Sequence, residues 1–316
     1  MNRSVLNTAA RALFLVSAFL GMINHAHSAE KLGFKLDNAT IPVADIRAGG
    51  PPRDGIPSID RPKFVPAARV KYLDPDDMVV SFSHAGETRA YPLRILVWHE
   101  IANDRIGDLA INVSYCPLCG SAMVFDRTIE GRTLEFGVSG LLYQSDVLMY
   151  DRQTESLWSQ LEMAAISGSQ VGRKLRLLPA QHMTWRAWKA EHPNGLVLST
   201  DTGHNRDYGR QPYGDYEKSP RIMFPVKSNR KDLPTKAWIA GVVINGIARA
   251  YPHDRLPNGV AVEDTVGGKP VRVRFDRESR RFTITDADGA AVPFTPAYWF
   301  AWQAFHPDTT VWSAQR

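Results

Sequence analysis

Cysteine is almost absent: there are two in 316 residues, Cys116 and Cys119. One pair allows at most a single disulfide, so this is no small scaffold stapled by bridges, and the chain must build its own core. Long apolar runs are missing as well. Ala12 to Ile23 is an apolar stretch too short to span a bilayer, and nothing after it approaches the roughly 18 residues a span requires. Clustered charge is the third absence. The chain has 38 Lys and Arg against 33 Asp and Glu, two of the basic residues (Arg3 and Arg11) fall near its start, and no basic cluster follows. A nucleic-acid partner is therefore not expected. The remainder, 44% hydrophobic and 22% charged, is an ordinary globular composition.

What is present begins with a leader. Arg3 and Arg11, the apolar run, and Ala26-His27-Ser28 are arranged as a secretory signal peptide cleaved before Ala29. Residues 1–28 are expected to be removed, giving a periplasmic protein with no stable membrane insertion. No cysteine lies in that leader, which excludes a lipoprotein. Residues 29–66 form an N-terminal arm dense in turn formers, such as Gly49-Gly50-Pro51-Pro52.

From Val70 onward short alternating segments predict strands and hairpins. Met78 to Phe82 and Thr88 to Tyr91 flank a His84-Ala85-Gly86-Glu87 turn; Leu109 to Tyr115, Ala122 to Asp126, Arg132 to Val138, Leu141 to Tyr150 and Leu157 to Leu161 follow. Thr184 caps a predicted helix over Trp185 to Ala190, stopped by His192-Pro193. The pattern then repeats. Arg89-Ala90-Tyr91-Pro92 recurs as Arg249-Ala250-Tyr251-Pro252 within an ungapped match of 77–113 to 237–273. The helix block returns as Trp299, Trp302, His306 and Pro307. Two blocks in one order point to an internal duplication. The expected fold is β-rich α+β, with two related antiparallel β lobes, each with one Trp-bearing helix. Residues 67–200 form the copy-one lobe, 201–231 a crossover loop, and 232–316 a shorter copy-two lobe. Cys116 falls opposite Asp276 and His99 opposite Gly259, so the special chemistry is expected in copy one, with copy two as structural support.

That chemistry centres on Tyr115-Cys116-Pro117-Leu118-Cys119-Gly120, a Cys-x-x-Cys turn after an apolar strand. Closing so short a loop removes only about 2 kcal/mol of unfolded-state entropy, which weakens a purely structural disulfide as its purpose. Two thiols at this spacing otherwise exchange disulfides or clamp a soft metal. The segment after Gly120 does not predict the helix that stabilises a thiolate in thioredoxin-like proteins. For a metal, His99 is the nearest imidazole, and Cys116, Cys119 and His99 make a set suited to Cu(I), with Met123 or Met149 as weak extra ligands. Zinc wants a fourth firm ligand, for which Glu100 or Asp126 stands nearby. Ser139 and Asp146 add a further polar concentration. Ser139 lacks the G-x-S-x-G spacing of a nucleophile elbow. The leading expectation is an exported copper-binding protein; the alternatives are a thiol–disulfide oxidoreductase acting on exported partners and a scaffold with a passive disulfide.

These segments, with Trp98-His99-Glu100-Ile101, Phe136-Gly137-Val138-Ser139-Gly140 and Asp151-Arg152-Gln153-Thr154-Glu155-Ser156-Leu157-Trp158-Ser159-Gln160, give a resemblance over most of the chain. The chain resembles a bacterial family known only as a domain of unknown function, number 3179 in its series. The resemblance implies no activity.

Overall fold

The computed structural model describes residues 29–228 and 230–314; the signal peptide read at residues 1–28 lies outside the described residues. Short hairpins dominate, because the alternating segments are separated by turn residues that adopt positive φ. Asn245 (φ 50°) and Gly246 (φ 79°) make one such two-residue turn, and Ala85 (φ 50°) with Gly86 (φ 79°) makes its counterpart.

Among the described residues the larger hairpins assemble into five sheets arranged as a five-bladed β-propeller, and two small hairpins, Glu30–Lys31 with Phe34–Lys35 and Thr128–Ile129 with Arg132–Thr133, stand apart from them. The first blade pairs Met78–His84 with Glu87–Pro92 and is widened by Gln181–Thr184, Leu196–Leu198 and Phe64–Pro66. The second contains Ile101–Ile106, Leu109–Cys116, Ser121–Asp126 and Arg176–Leu177. The third contains Phe136–Tyr143, Asp146–Asp151, Leu157–Ser159 and Ala164–Ser167, edged by Arg47–Ala48. The fourth contains Trp238–Ile244, Ile247–Pro252, Thr295–Tyr298 and Thr310–Val311; the fifth contains Val262–Val266, Lys269–Asp276 and Arg281–Asp286. The expectation of two antiparallel lobes from an internal duplication is overturned by this arrangement. The repeated segments supply blades of one architecture, and the third blade has no match in the second set.

Register still follows the sequence repeat closely. Val79 pairs with Pro92 as Ile239 pairs with Pro252, Ala102 with Val113 as Val262 with Val273, and Cys116 with Ser121 as Asp276 with Arg281. The Trp-bearing helices run Trp185–Glu191 and Trp299–Phe305, the first capped by the Thr184 side chain. The segment read as one strand from Leu141 to Tyr150 is instead the turn of a hairpin at Gln144-Ser145.

The third blade is buried on both faces. On one side the N-terminal arm lays Phe34, Leu36 and Ile46 against Leu141, Leu148 and Tyr150. On the other, Val138, Val147, Met149 and Trp158 join a cluster that holds Cys116, Cys119 and Phe300. Burying each such arm residue contributes roughly 1.5–3 kcal/mol, and backbone bonds such as Thr40 N–H to the Ile166 carbonyl and Gly49 N–H to the Gly140 carbonyl fix the arm's course.

The repeated Arg-Ala-Tyr-Pro motif has a structural purpose. Arg89 Nη1 bonds both Asp104 carboxylate oxygens at 2.7 and 2.6 Å, and the Tyr91 hydroxyl donates to the same carboxylate at 2.5 Å. Arg249 and Tyr251 repeat this on Asp264 at 2.9 and 3.0 Å. Each time the first hairpin of a set is riveted to the next blade. The first clamp is more enclosed, with side-chain exposures of 14% and 7% against 26% and 16%. Asp104→Ala is therefore expected to cost about 3 kcal/mol, because it leaves the buried Tyr91 hydroxyl without its acceptor and Arg89 with Glu87 as its remaining carboxylate, and Asp264→Ala distinctly less. Urea unfolding midpoints of the two variants check the order.

Candidate metal centre

Two tight turns meet inside the cluster between the second and third blades. The first carries the thiols. The strand Leu109–Cys116 ends in a turn closed by the Cys119 N–H to the Cys116 carbonyl at 3.2 Å. Gly120 completes it at φ 61°, and a Cβ there would lie 2.8 Å from the Tyr298 ring, so glycine is demanded twice over. The Tyr298 N–H in turn donates to the Cys119 carbonyl at 2.7 Å.

The second turn joins Phe136–Tyr143 to Asp146–Asp151. Tyr143 pairs with Asp146 across only Gln144 and Ser145, both left-handed at φ 51° and 67°. Such turns ordinarily use Asn-Gly, and non-glycine residues there carry strain of order 1 kcal/mol each. The environment supports them: Gln144 Oε1 accepts the Lys227 N–H at 2.8 Å. The turn aims the Ser145 carbonyl at both sulfurs, 3.3 Å from Cys119 Sγ and 3.9 Å from Cys116 Sγ.

Asp146 follows directly. The two Sγ atoms and one of its carboxylate oxygens all lie within 4.8 Å of one another, the one such group among the described residues that could hold a metal ion. Exposure is 1% for Cys116 and 0% for both Cys119 and Asp146. Asp146 Oδ2 accepts the Leu161 N–H at 3.0 Å, whereas Oδ1 has no hydrogen-bond partner, and neither does the buried Ser145 Oγ. Buried polar atoms are nearly always satisfied, so an orphaned carboxylate oxygen beside two thiols marks a place built for something further.

Electrostatics reinforce this. Burial pushes Asp146 up to about 7 and the adjacent Glu100 up to about 8, the latter aided by the Asp146 charge. Both thiols are raised, Cys119 most, by burial and their acidic neighbours. An anionic trio here is unfavourable without a cation, and among the described residues no Lys or Arg pairs with Asp146 or Glu100.

The predicted site residues divide. Cys116, Cys119 and Asp146 converge. His99 does not join them: Nδ1 donates to the Pro57 carbonyl at 2.7 Å, and Nε2 takes the Tyr208 hydroxyl at 2.7 Å. Burial lowers it to about 4, which keeps it neutral and committed to those two bonds. Glu100 approaches from beside it at φ 57° and binds the Tyr213 hydroxyl at 3.4 Å. Met123 packs in the cluster wall, and Met149 Sδ accepts the Asn112 amide at 3.3 Å. Ser139 donates to the Leu148 carbonyl and accepts the Leu141 N–H, the work of a bulge residue. Asp126 is engaged by Arg176 at 2.6 Å on the second blade.

Sequence reasoning missed the cover. Tyr208 holds His99, Tyr213 holds Glu100, and the Tyr216 hydroxyl donates to the Leu118 carbonyl at 3.1 Å, so the crossover loop seals the cysteine turn. Its three tyrosines were the available signal. With the thiols enclosed and their pKa values raised, direct exchange with a protein disulfide has neither access nor thiolate.

A family model described as "Protein of unknown function (DUF3179)" matches residues 53–309. No curated protein and no solved structure matches the chain.

Glycine at position 145 removes both the strained φ and the orphaned hydroxyl. Ser145→Gly is expected to stabilise the metal-free protein by about 1 kcal/mol, the relief outweighing the glycine entropy cost. Thermal unfolding of metal-free protein reads the difference.

Proposed function

The chain belongs to this family, whose description assigns no activity, and we propose that the protein is exported and holds a thiophilic metal ion through Cys116, Cys119 and Asp146. The carrying observation is the meeting of two thiols and a carboxylate with an orphaned Oδ1, sealed from water. Export is supported by the pattern of residues 1–28. Among the described residues no helix is long and apolar enough to cross a membrane.

The donor set favours zinc over the expected Cu(I). Copper(I) is satisfied by two thiolates and has little use for a carboxylate, and its single charge leaves more of the buried anionic charge uncompensated. A divalent d¹⁰ ion uses all three donors, with the Ser145 carbonyl or hydroxyl beside the fourth position. So enclosed a centre is of the structural type: it ties the second blade to the third.

Protein prepared under reducing conditions, stripped with a chelator and reloaded, is expected to take up one zinc per chain. Cys116→Ser with Cys119→Ser abolishes uptake, and Asp146→Asn weakens zinc about tenfold or more while leaving Cu(I) within a few-fold. If Asp146→Asn spares zinc and the double serine variant alone fails, the centre is a two-thiolate copper site. Unchanged stoichiometry for both ions in the double variant sinks the metal reading.

pH supplies a second check. Asp146 and Glu100 have folded pKa values above their unfolded ones, so each holds more protons in the native metal-free protein than in the unfolded chain, while the buried His99, His182 and His306, lowered to about 4, hold fewer until about pH 6.5. Above about pH 6.5 the histidines no longer oppose the carboxyls, and stability of the metal-free protein falls as pH rises toward 8, by on the order of 1 kcal/mol per unit for each group still protonated. Metal binding needs the same groups and the thiols deprotonated, so metal-loaded protein gains over metal-free as pH rises. Unfolding free energies from pH 5 to 8, with and without zinc, are expected to diverge.

A further inference from the structure

A cavity of about 860 Å³ opens where the first, second, fourth and fifth blades face one another, on the far side of Gly120 and Tyr298 from the thiols. The register equivalence between the two sets of blades shows which of its side chains the fold needs. Lys236, His253, Arg277 and Arg280 line the cavity from the second set. The corresponding positions of the first set carry Asp76, Leu93, Pro117 and Gly120. The same turns and strands therefore form without these side chains, and folding does not account for them.

Charge balance points the same way. On the first-set wall Asp77 is held by Arg94 and Asp76 by Arg186. On the other wall, among the described residues, neither Lys236 nor Arg277 belongs to an ion pair, and Arg280 reaches Glu217 only at 3.9 Å. Lys236 Nζ donates to the Tyr216 carbonyl and lies 3.1 Å from the centre of that ring. Glu217, which also lines the cavity, is the acid that stands nearest Lys236 and Arg280.

Flat apolar surface stands beside the charges. Trp238 packs against Phe275 at 6.2 Å between ring centres, and Tyr298 faces the same space. His182 also lines the cavity: it is 4% exposed, its Nε2 meets the Ala122 carbonyl at 2.9 Å, and its Nδ1 is buried without a partner.

We propose that this cavity binds an organic anion, its acidic group held by Lys236 and Arg277 and its flat apolar body laid along Trp238, Phe275 and Tyr298. The volume suits one mid-sized molecule. The inference does not depend on the metal centre, because none of these residues is among its proposed ligands.

The test uses the full chain, as purified, and two naphthalene probes of nearly the same shape. 1-Anilinonaphthalene-8-sulfonate carries the anion; N-phenyl-1-naphthylamine lacks it. Saturable one-site fluorescence binding is expected, at least tenfold tighter for the sulfonate, and weakened by salt. Lys236→Met with Arg277→Gln should lose at least tenfold for the sulfonate while changing the neutral probe less than twofold. Glu217→Gln, which removes the nearest acid and leaves the cations in place, should tighten the sulfonate about threefold. Equal affinity for both probes, sulfonate binding unchanged in the double variant, or a non-saturating signal would overturn the proposal. If the double variant unfolds, the response of Glu217→Gln decides, no tightening counting against it. Retention of sulfonate binding in the Cys116→Ser, Cys119→Ser protein separates this site from the metal centre, and loss there also overturns it.

Discussion

Everything distinctive about this molecule depends on two turns pressed together, one forced left-handed at Gln144 and Ser145 and the other held by Gly120 beneath Tyr298. Neither is comfortable alone. A two-residue turn without glycine stores strain, and a Cys-x-x-Cys turn buried beside two carboxylates raises the cost of every ionised form. They persist because the apolar cluster around them is continuous across the second and third blades, and because the crossover loop is stitched over them by tyrosine hydroxyls. Where strain, orphaned polar atoms and raised carboxyl pKa values coincide, packing alone gives no reason for the coincidence, and a bound cation answers all three.

The cysteines and their importance were legible in the sequence because two residues in a long chain, two positions apart, leave little choice. Their true third partner was not. Asp146 stood among the supporting residues, and it reaches the thiols only because the chain reverses at Gln144-Ser145. That reversal carries no Gly, Asn or Pro, the residues by which a turn announces itself, so Leu141 to Tyr150 looked like one strand. His99 misled for the opposite reason. Its place before the cysteine strand made it a plausible ligand, yet its neighbours in space, Pro57 and Tyr208, lie far off in sequence and occupy both nitrogens.

The repeat was legible too, down to individual pairings, but not its architectural meaning. Matching registers at 79–92 and 239–252 are equally compatible with two separate lobes and with blades of one ring. Only the long-range packing decides: Thr184 donates its N–H to Ser279 at 2.8 Å and Tyr298 donates to Cys119, so each set of blades closes onto the other. Seen this way, the turns Cys116–Ser121 and Asp276–Arg281 are one scaffold position used for two purposes. The first faces the third blade and gathers two thiols and a carboxyl. The second has no such blade to face and presents Arg277 and Arg280 to the cavity.

The crossover loop connects these two purposes physically. Tyr216 gives its hydroxyl to the Leu118 carbonyl inside the cysteine turn, while its ring and carbonyl receive the Lys236 ammonium at the cavity wall. Desolvation there lowers Lys236 to about 8, a sign that the ammonium is held by a π face and a carbonyl in place of water. Tyr216 thus touches both the cysteine turn and the cavity wall, and through it the second set of blades packs against the turn that carries both thiols.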